Sequence, residues 1–283
     1  MMARSGLPLR EVVQRLNNLA PLWLAESWDN VGLLLETYQS SSTPVKELLL
    51  TNDLTEDVAQ EAISKNIQLI ISYHPPLFRP FKTITNDQWK SRIISTCMAH
   101  NMSVYSPHTC YDSIYFGVND WLASVFDFET KKPVLPAKCP AGVETSLDLA
   151  SCGAGRLMEL KSPITISTAV EKIKSKLKLD HVHLALAKGA SKDSTISSVA
   201  VCAGSGSSVL AGVNAELLLT GEMSHHEVLD AVHNGKSVIL TWHSNSERGF
   251  LVNLADILTS KTFKNEEVGI SVSSVDRDPL FTL

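Results

Sequence analysis

The sequence predicts an α/β protein made of mixed sheet covered by helices, and two observations carry this prediction. Short apolar segments suited to strands alternate along the chain with amphipathic segments suited to helices, an order typical of sheets with helices on their faces. The apolar segments also run into clusters of histidine and acidic residues. Because ligands of α/β proteins bind at the carboxyl edge of the sheet, these clusters indicate a functional site there.

Helices are predicted where apolar residues recur every three or four positions. Two such stripes cover residues 89–98 and 250–258, and residues 9–19 predict a first helix packed on the core. Ser224 followed by Glu227 has the spacing of a capping box at the start of another helix. The predicted strands are residues 45–50, 67–72, 102–106, 199–203, 216–220 and 237–241.

Length and composition indicate a globular chain of one large domain or two lobes. Hydrophobic residues make up 44% of the 283 positions and charged residues 19%, which suits a sizeable core. Residues 131–151 contain three prolines and few periodic apolar residues, so they are interpreted as a linker. The predicted division is an N-terminal α/β lobe at 1–130, the linker at 131–151 and a C-terminal α/β lobe at 152–283.

The charge and cysteine content bear on partners and compartment. A net charge of −5 argues against broad electrostatic capture of nucleic acid or of an anionic membrane. The five cysteines form no CxxC pair, which favours reduced thiols and a cytoplasmic location, with the nucleus as an alternative. Arg4, Arg10 and Arg15 would also suit a mitochondrial transit peptide, but the helical spacing of the apolar residues around them favours a core helix.

His243 and Glu247 are the strongest candidate pair for a metal site. They are four residues apart where a strand passes into a helix, so both can face one point. Glu247 also continues the apolar stripe of the following helix, which predicts that it points inward, and a buried carboxylate needs a cation or a proton. The alternative is an ordinary helix start, with Ser244 or Ser246 as the N-cap.

His74 and Asp112 complete the predicted ligand set. His74 ends an apolar strand and precedes two prolines that force a turn, and Asp112 lies in a loop after another strand. Taken singly, each also fits an ordinary role as a loop histidine or a turn residue. Together, two imidazoles and two carboxylates suit Zn²⁺, Fe²⁺, Mn²⁺ or Co²⁺ and would polarise a bound water.

The glycine-rich turn at residues 204–208 has two interpretations. Its amides could hold a phosphate at the start of a helix. It matches neither a Walker loop nor the full dinucleotide fingerprint, so a tight packing turn is the alternative.

Six segments of this sequence resemble the Nif-three-like family, also known as GTP cyclohydrolase I type 2-like proteins, and look most like its animal members. They follow the family's order across nearly the whole chain. They are AESWDNVGL at 25–33, SYHPPLF at 72–78, SPHTCYD at 106–112, GVNDWL at 117–122, TGEMSHH at 220–226 and HSNSERG at 243–249.

The resemblance implies two related α/β lobes, a dinuclear metal site between them and a homohexamer. The family's ligands would fall on His74, Asp112, His243 and Glu247. Microbial members carry His-His where this chain has Tyr73-His74, so the resemblance implies one or two metals per chain. The short segment at 131–151 implies that the inserted middle domain of longer members is absent.

Two functions follow as expectations. The first is a metal-dependent hydrolase acting on a nucleotide or a related phosphorylated heterocycle, with Glu247 and Asp112 as catalytic residues. The second is a metal-binding scaffold or regulatory partner of transcription-related proteins, as the resemblance to animal-type members implies. Neither is expected to contact nucleic acid or a membrane directly.

Overall fold

The computed structural model describes residues 4–280 and residue 282. The chain forms two compact units. The first takes in the chain up to Tyr111 together with Leu251–Arg277, and the second takes in Asp112–Phe250 with the residues from Asp278 onward. No helix in the described part of the chain has the length and apolar character needed to cross a membrane.

Strands and helices alternate along most of the described chain, as predicted, but between Phe128 and Thr165 four strands follow one another with no α-helix between them. The strands are β1 (Gly32–Leu35), β2 (Glu47–Thr51), β3 (Leu69–Ser72), β4 (Ser103–Ser106), β5 (Phe128–Lys132), β6 (Leu135–Pro136), β7 (Gly153–Ala154), β8 (Arg156–Thr165), β9 (His183–Ala185), β10 (Thr195–Cys202), β11 (Leu217–Thr220), β12 (Ser237–Leu240) and β13 (Gly269–Val272). The α-helices are α1 (Leu9–Leu19), α2 (Glu56–Ser64), α3 (Trp89–Ala99), α4 (Thr109–Ser113), α5 (Val118–Ala123), α6 (Ile166–Leu177), α7 (Ser207–Leu210), α8 (His225–His233) and α9 (Phe250–Ile257).

The sheet of the first unit is mixed, with strand order β1-β4-β3-β2-β13. Strands β4, β3, β2 and β13 run parallel, and β1 pairs antiparallel with β4 at one edge. Helices α2 and α3 cover a core that includes Leu49, Val58, Ile70, Ile93 and Cys97. The carboxyl ends of β2, β3 and β4 therefore meet along one edge.

The sheet of the second unit is also mixed, with strand order β5-β8-β10-β11-β12-β9. Its centre repeats the arrangement of the first unit, because β10, β11 and β12 are parallel neighbours whose carboxyl ends share an edge. Antiparallel strands flank this centre on both sides.

Every predicted strand corresponds to an observed one, and the mixed α/β class is confirmed. The capping box is also present, since Ser224 accepts from the Glu227 amide and the Glu227 carboxylate accepts from the Ser224 amide. The strands that were not predicted include β5 and β8, in which most positions are at least partly exposed. In β5 and β8 exposed polar residues interrupt the apolar runs, and strands were predicted only where such runs are continuous.

The contacts divide the chain differently from the predicted ranges. Residues 131–151 were interpreted as a linker, but they include part of β5, which pairs with β8, and β6, which pairs with β7. The chain after Phe250 returns to the first unit, where β13 pairs with β2. The division into lobes at 1–130 and 152–283 stays a prediction.

A buried ion cluster holds α5 against the second sheet. Arg156, with 1% of its surface exposed, donates to Asp120 Oδ2 at 2.7 Å and to the carbonyl oxygen of Ile114 at 3.1 Å. Lys131 pairs with the other oxygen of Asp120. Buried charges need such partners, so this cluster fixes where α5 lies.

Glu61 anchors the returning segment of the first unit after β13. Its carboxylate accepts from Lys65 Nζ at 2.7 Å, from Ser273 Oγ and from the amide and hydroxyl of Ser274 at 3.0 and 2.7 Å. Burial raises the pKa of Glu61, but these hydrogen bonds lower it by more, to about 2 against the ordinary 4.5. The ionised form therefore stabilises the fold.

Replacing Glu61 by glutamine is expected to lower the free energy of unfolding at pH 7 by at most about 3 kcal/mol, because the carboxylate is stabilised in the folded state. A lowered pKa contributes stability above pH 4.5 that is lost as the pH falls towards 2. Urea unfolding should thus give a gap between the two proteins at pH 3 less than half as large as at pH 7. Glu56→Gln, on the same helix but exposed, is the control and should change little. A constant gap from pH 7 to pH 3 would contradict this account.

Candidate functional site

Polar residues follow the three neighbouring parallel strands of the first unit. Asp53 follows β2, His74 follows β3 and His108 follows β4. Their strands are adjacent in the sheet, so the fold brings each of these side chains near one that lies more than twenty positions away in sequence. This is the edge at which α/β sheets bind ligands.

A carboxylate orients His74. Nδ1 of His74 lies 2.9 Å from Asp53 Oδ1 and 3.4 Å from Asn52 Nδ2. A histidine that donates its Nδ1 proton to a carboxylate presents Nε2 as its ligand nitrogen, and such pairs typically support metal-binding histidines. His74 is about one-fifth exposed, so it is held at the surface of the unit rather than deep in its core.

Aromatic rings surround His74. The ring centroid of Tyr73, which is 2% exposed, lies 5.2 Å from that of His74, and the ring of His108 lies 5.3 Å away. The more exposed rings of Trp28 and Phe78 contact His108 at 5.9 and 6.5 Å. Tyr73 is therefore a buried residue whose ring packs directly against that of His74.

Asp29 is a second carboxylate that holds a histidine in this unit. Its oxygens lie 2.8 Å from His108 Nδ1 and accept from the amide and hydroxyl of Thr109 at 3.1 and 2.5 Å. Burial raises the pKa of Asp29, but the hydrogen bonds with His108 and Thr109 lower it by more. The pKa of Asp29 is therefore below its usual value. The motif at 25–33 thus serves to fix His108.

The second unit repeats the pattern at the ends of its parallel strands. Gly204 follows β10, Glu222 follows β11 and His243 follows β12. Nδ1 of His243 lies 2.9 Å from Glu222 Oε1. His243 is therefore oriented by a carboxylate in the same way as His74, and Nε2 is again its ligand nitrogen.

Glu247 faces that nitrogen. A short 3₁₀ turn, Ser244–Ser246, separates the two residues and brings Glu247 Oε1 to 3.4 Å from His243 Nε2. Glu247 is only 4% exposed, which agrees with the inward orientation predicted from its place in the apolar stripe. Two ligands about 2.1 Å from one tetrahedral metal are separated by roughly 3.4 Å, so this pair fits a metal.

Gly204 lies directly beside the pair formed by His243 and Glu247. Its φ of +64° favours glycine, and a Cβ at this position would lie 2.5 Å from Glu247 Oε1 and 3.1 Å from His243 Nε2. Its amide donates to Ser246 Oγ at 2.7 Å and its carbonyl accepts from the Glu222 amide at 3.1 Å. The backbone thus approaches both side chains closely because it carries no side chain of its own.

The turn at 204–208 is a packing turn rather than a phosphate loop. The Gly204 amide is used by Ser246, and the Gly206 amide donates to Thr220 Oγ1 at 3.0 Å. The helix that follows, α7, has only four residues. These bonds favour the packing alternative over phosphate binding.

Asn119 connects the chain around Asp112 with the turn at Gly204, both in the second unit. Its Nδ2 donates to the Asp112 carbonyl oxygen at 3.0 Å, and its Oδ1 accepts from the amide of Ala203 at 2.9 Å. Ala203 precedes Gly204, so one buried side chain links α4 to the end of β10. Asp112 itself is partly exposed at the end of the first helical turn.

Backbone strain marks the residue before His243. Trp242 has a φ of +68°, a conformation rarely adopted by a bulky residue, and its ring packs 5.1 Å from that of His183. Strain of this kind concentrates at functional sites. His183 is thus a packing partner of Trp242.

The structure places the four predicted ligands as follows. His243 and Glu247 come together, Asp112 is connected to the adjacent Gly204 turn through Asn119, and His74 is held by Asp53 in the first unit. Sequence reasoning gave no role to the orienting carboxylates. Glu222 and Asp53 each follow an apolar segment that was predicted to be a strand, so the rule that directs attention to polar residues at strand ends could have found both.

Comparison with known proteins identifies the family. The model of the Duf34/NIF3 (NGG1p interacting factor 3) family matches residues 7–279. The chain is 46% identical to NIF3-like protein 1 of Drosophila melanogaster over 99% of its length and 90% of the relative's. It is 37% identical to NGG1-interacting factor 3 of Saccharomyces cerevisiae, covering 96% of each chain.

Solved structures agree in fold. A Staphylococcus aureus hypothetical protein matches with a TM-score of 0.83 and 24% identity over 99% of this chain and all of that one. A Bacillus cereus protein related to NIF3 matches with a TM-score of 0.81 and 20% identity over 97% and 98%. Since the family model covers nearly the whole chain, the chain belongs to the Duf34/NIF3 family.

Proposed function

We propose that this chain is a metal-binding protein in which His74, Asp112, His243 and Glu247 are the ligands of a divalent transition metal. The observation that carries the proposal is the carboxylate on Nδ1 of both histidines, at 2.9 Å in each case. A hydrogen bond of this kind fixes the tautomer and makes Nε2 a better ligand. The same arrangement occurs in each of the two units, which supports a common role of the two histidines as metal ligands.

The chemistry of the donor set favours Zn²⁺, Fe²⁺, Mn²⁺ or Co²⁺. Imidazole nitrogens with carboxylate oxygens suit these ions, whereas Mg²⁺ and Ca²⁺ prefer oxygen ligands alone. The buried carboxylate of Glu247, beside the nitrogen of His243, offers one charged and one neutral donor in the fixed geometry that such ions require.

The reaction that this site suits best is hydrolysis of a nucleotide or a related phosphorylated heterocycle. A transition metal held by these residues would supply an activated water near neutral pH. Glu247 and Asp112 would be the carboxylates that accept a proton from that water, and His74 and His243 would hold the metal.

The alternative is a metal-binding scaffold that regulates transcription-related proteins without turnover. The yeast relative is named for an interaction with NGG1, which favours a binding role. A homohexamer would suit either function by presenting repeated surfaces. Light scattering that gave the monomer mass of 30.9 kDa at micromolar concentration would contradict the oligomer.

The first test is metal content. Gently purified wild type is expected to hold about one transition metal per chain, and His243→Ala with Glu247→Ala should abolish it because two ligands are lost. His74→Ala should also lower it strongly, since His74 is proposed as a ligand. The control, His225→Ala with Asp230→Ala, removes one imidazole and one carboxylate from the exposed face of α8 and should change nothing. Unchanged metal in the first variant, measured by elemental analysis, would refute the ligand assignment.

Gly204 gives a second test that leaves every ligand in place. Gly204→Ala should weaken metal affinity at least tenfold, because the new Cβ would press on Glu247 and His243. Gly212 has a φ of +72° and open space around its Cβ, so Gly212→Ala carries the same backbone strain of about 1 kcal/mol without the contact. Competition with a metal chelator measures both affinities. If both variants changed the metal affinity equally, glycine would be required at position 204 only for its backbone conformation.

Tyr73→His distinguishes the two functions. It restores the His-His pair of microbial members, so metal content should rise from about one towards two per chain, because imidazole is a better ligand than a neutral phenol. Hydrolysis of nucleoside triphosphates should rise with the second metal if the chain is a hydrolase, and stay absent if it is a scaffold. Wild type already holding two metals, with no change on substitution, would contradict this interpretation of Tyr73.

A further inference from the structure

We propose that the loop between β3 and α3 is the binding site for a nucleoside phosphate, a ligand that is planar and aromatic at one end and anionic at the other. The loop forms a cleft lined by residues between Pro76 and Arg92, called here the 76–92 cleft. The inference deepens the proposed function by locating where its nucleotide substrate would bind, and it rests on that function for the reaction that follows binding.

The size of the cleft suits a ligand of this class. Its volume is about 830 Å³, within the range of roughly 300–1,000 Å³ that is typical of small-molecule sites. All of its lining residues belong to one loop and the start of one helix of the first unit.

The charge of the cleft favours an anion. Four cationic side chains line it against one carboxylate, Asp87, in a chain whose net charge is −5. Arg92 is already paired with both oxygens of Glu56, at 2.7 and 3.1 Å. Arg79 and Lys82 are exposed, and in the part of the chain that the structure describes neither has a carboxylate partner. These two are therefore the cations available to a phosphate.

The aromatic residues of the cleft favour a planar ring. Phe78 is 40% exposed and Trp89 is 47% exposed, and Phe81 lines the cleft with them. Lys90 Nζ lies 5.5 Å from the Trp89 ring centroid, so a cation and a ring face act together there. A planar base stacked on these rings would cover apolar surface that is otherwise exposed to water.

Ring contacts connect the cleft to His74 within the first unit. Phe78 follows His74 by four positions, and its ring lies 6.0 Å from Trp28 and 6.5 Å from His108. His108 in turn lies 5.3 Å from His74. Phe78 is therefore linked to His74 through the ring of His108, which places a ligand stacked on Phe78 on the side of the unit where His74 lies.

A small nucleotide fits these features better than a nucleic acid strand. A strand needs a groove of cations and rings that extends over several nucleotides, and the negative chain as a whole repels it. The cations of the cleft are confined to one loop and the first turn of one helix.

Calorimetric titration of the 283-residue chain, loaded with metal, with ATP, GTP, guanosine and pyrophosphate tests the proposal. Saturable binding of a nucleoside triphosphate is expected, with guanosine and pyrophosphate each at least tenfold weaker. Arg79→Ala with Lys82→Ala should weaken triphosphate and pyrophosphate binding at least tenfold. Phe78→Leu, which keeps apolar volume but removes the ring face, should weaken the triphosphates and guanosine and leave pyrophosphate within twofold.

The control is Lys188→Ala with Lys192→Ala, which removes two exposed positive charges from the second unit and should change each affinity less than twofold. No saturable triphosphate binding, or equal affinity in the cleft and control variants, would overturn the proposal. So would tighter binding of a 15-nucleotide thymidylate strand that is lost in the Arg79 and Lys82 variant.

Metal content in the same samples separates the two proposals. Full metal content without saturable nucleotide binding overturns the 76–92 cleft alone. Nucleotide binding that depends on Arg79 and Lys82 in a chain that holds no metal supports the cleft and contradicts the metal site.

Discussion

The hydrogen bond between a histidine and a carboxylate at the carboxyl ends of parallel strands is the constraint on which the candidate site depends. His74 with Asp53 and His243 with Glu222 each join the ends of two neighbouring strands. Strand register therefore sets the orientation of each ring, and each sheet supplies one oriented nitrogen. A histidine in a loop without such a partner would not keep one ring orientation, because its imidazole rotates about the side-chain bonds.

The backbone around His243 is shaped to serve that orientation. Gly204 and Gly221 both lie where a Cβ would collide, the first with Glu247 and the second with the Gly204 carbonyl and Ser246 Oγ. Ser246 in turn accepts the Gly204 amide and donates to the His243 carbonyl. Two close backbone approaches and one hydroxyl thus fix the turn that separates His243 from Glu247. The glycines of this region are required by space as well as by conformation.

Much of the fold could be predicted from the sequence because buried parallel strands are continuous apolar runs. Strands such as β3 and β11, buried at every position, were recognisable for that reason. The exposed β5 and the return of β13 to the first sheet were not, because pairing partners far apart in sequence leave no local periodic signal. At the site, the inward Glu247 was predictable from its helical stripe. The orienting role of Asp53 depends on strand order, which the sequence alone does not specify.

The contact between His243 and Glu247 completes the candidate site, and its geometry suits a metal ion. If Nδ1 donates its proton to Glu222, Nε2 carries a lone pair and faces Glu247 Oε1 at 3.4 Å. A metal ion would accept electron pairs from both atoms, because a neutral imidazole nitrogen and a carboxylate oxygen are both ligands of divalent transition metals. Gly204 and Ser246 already fix the turn between the two residues, so binding would not have to order it. The fold thus supplies the spacing of this pair in advance.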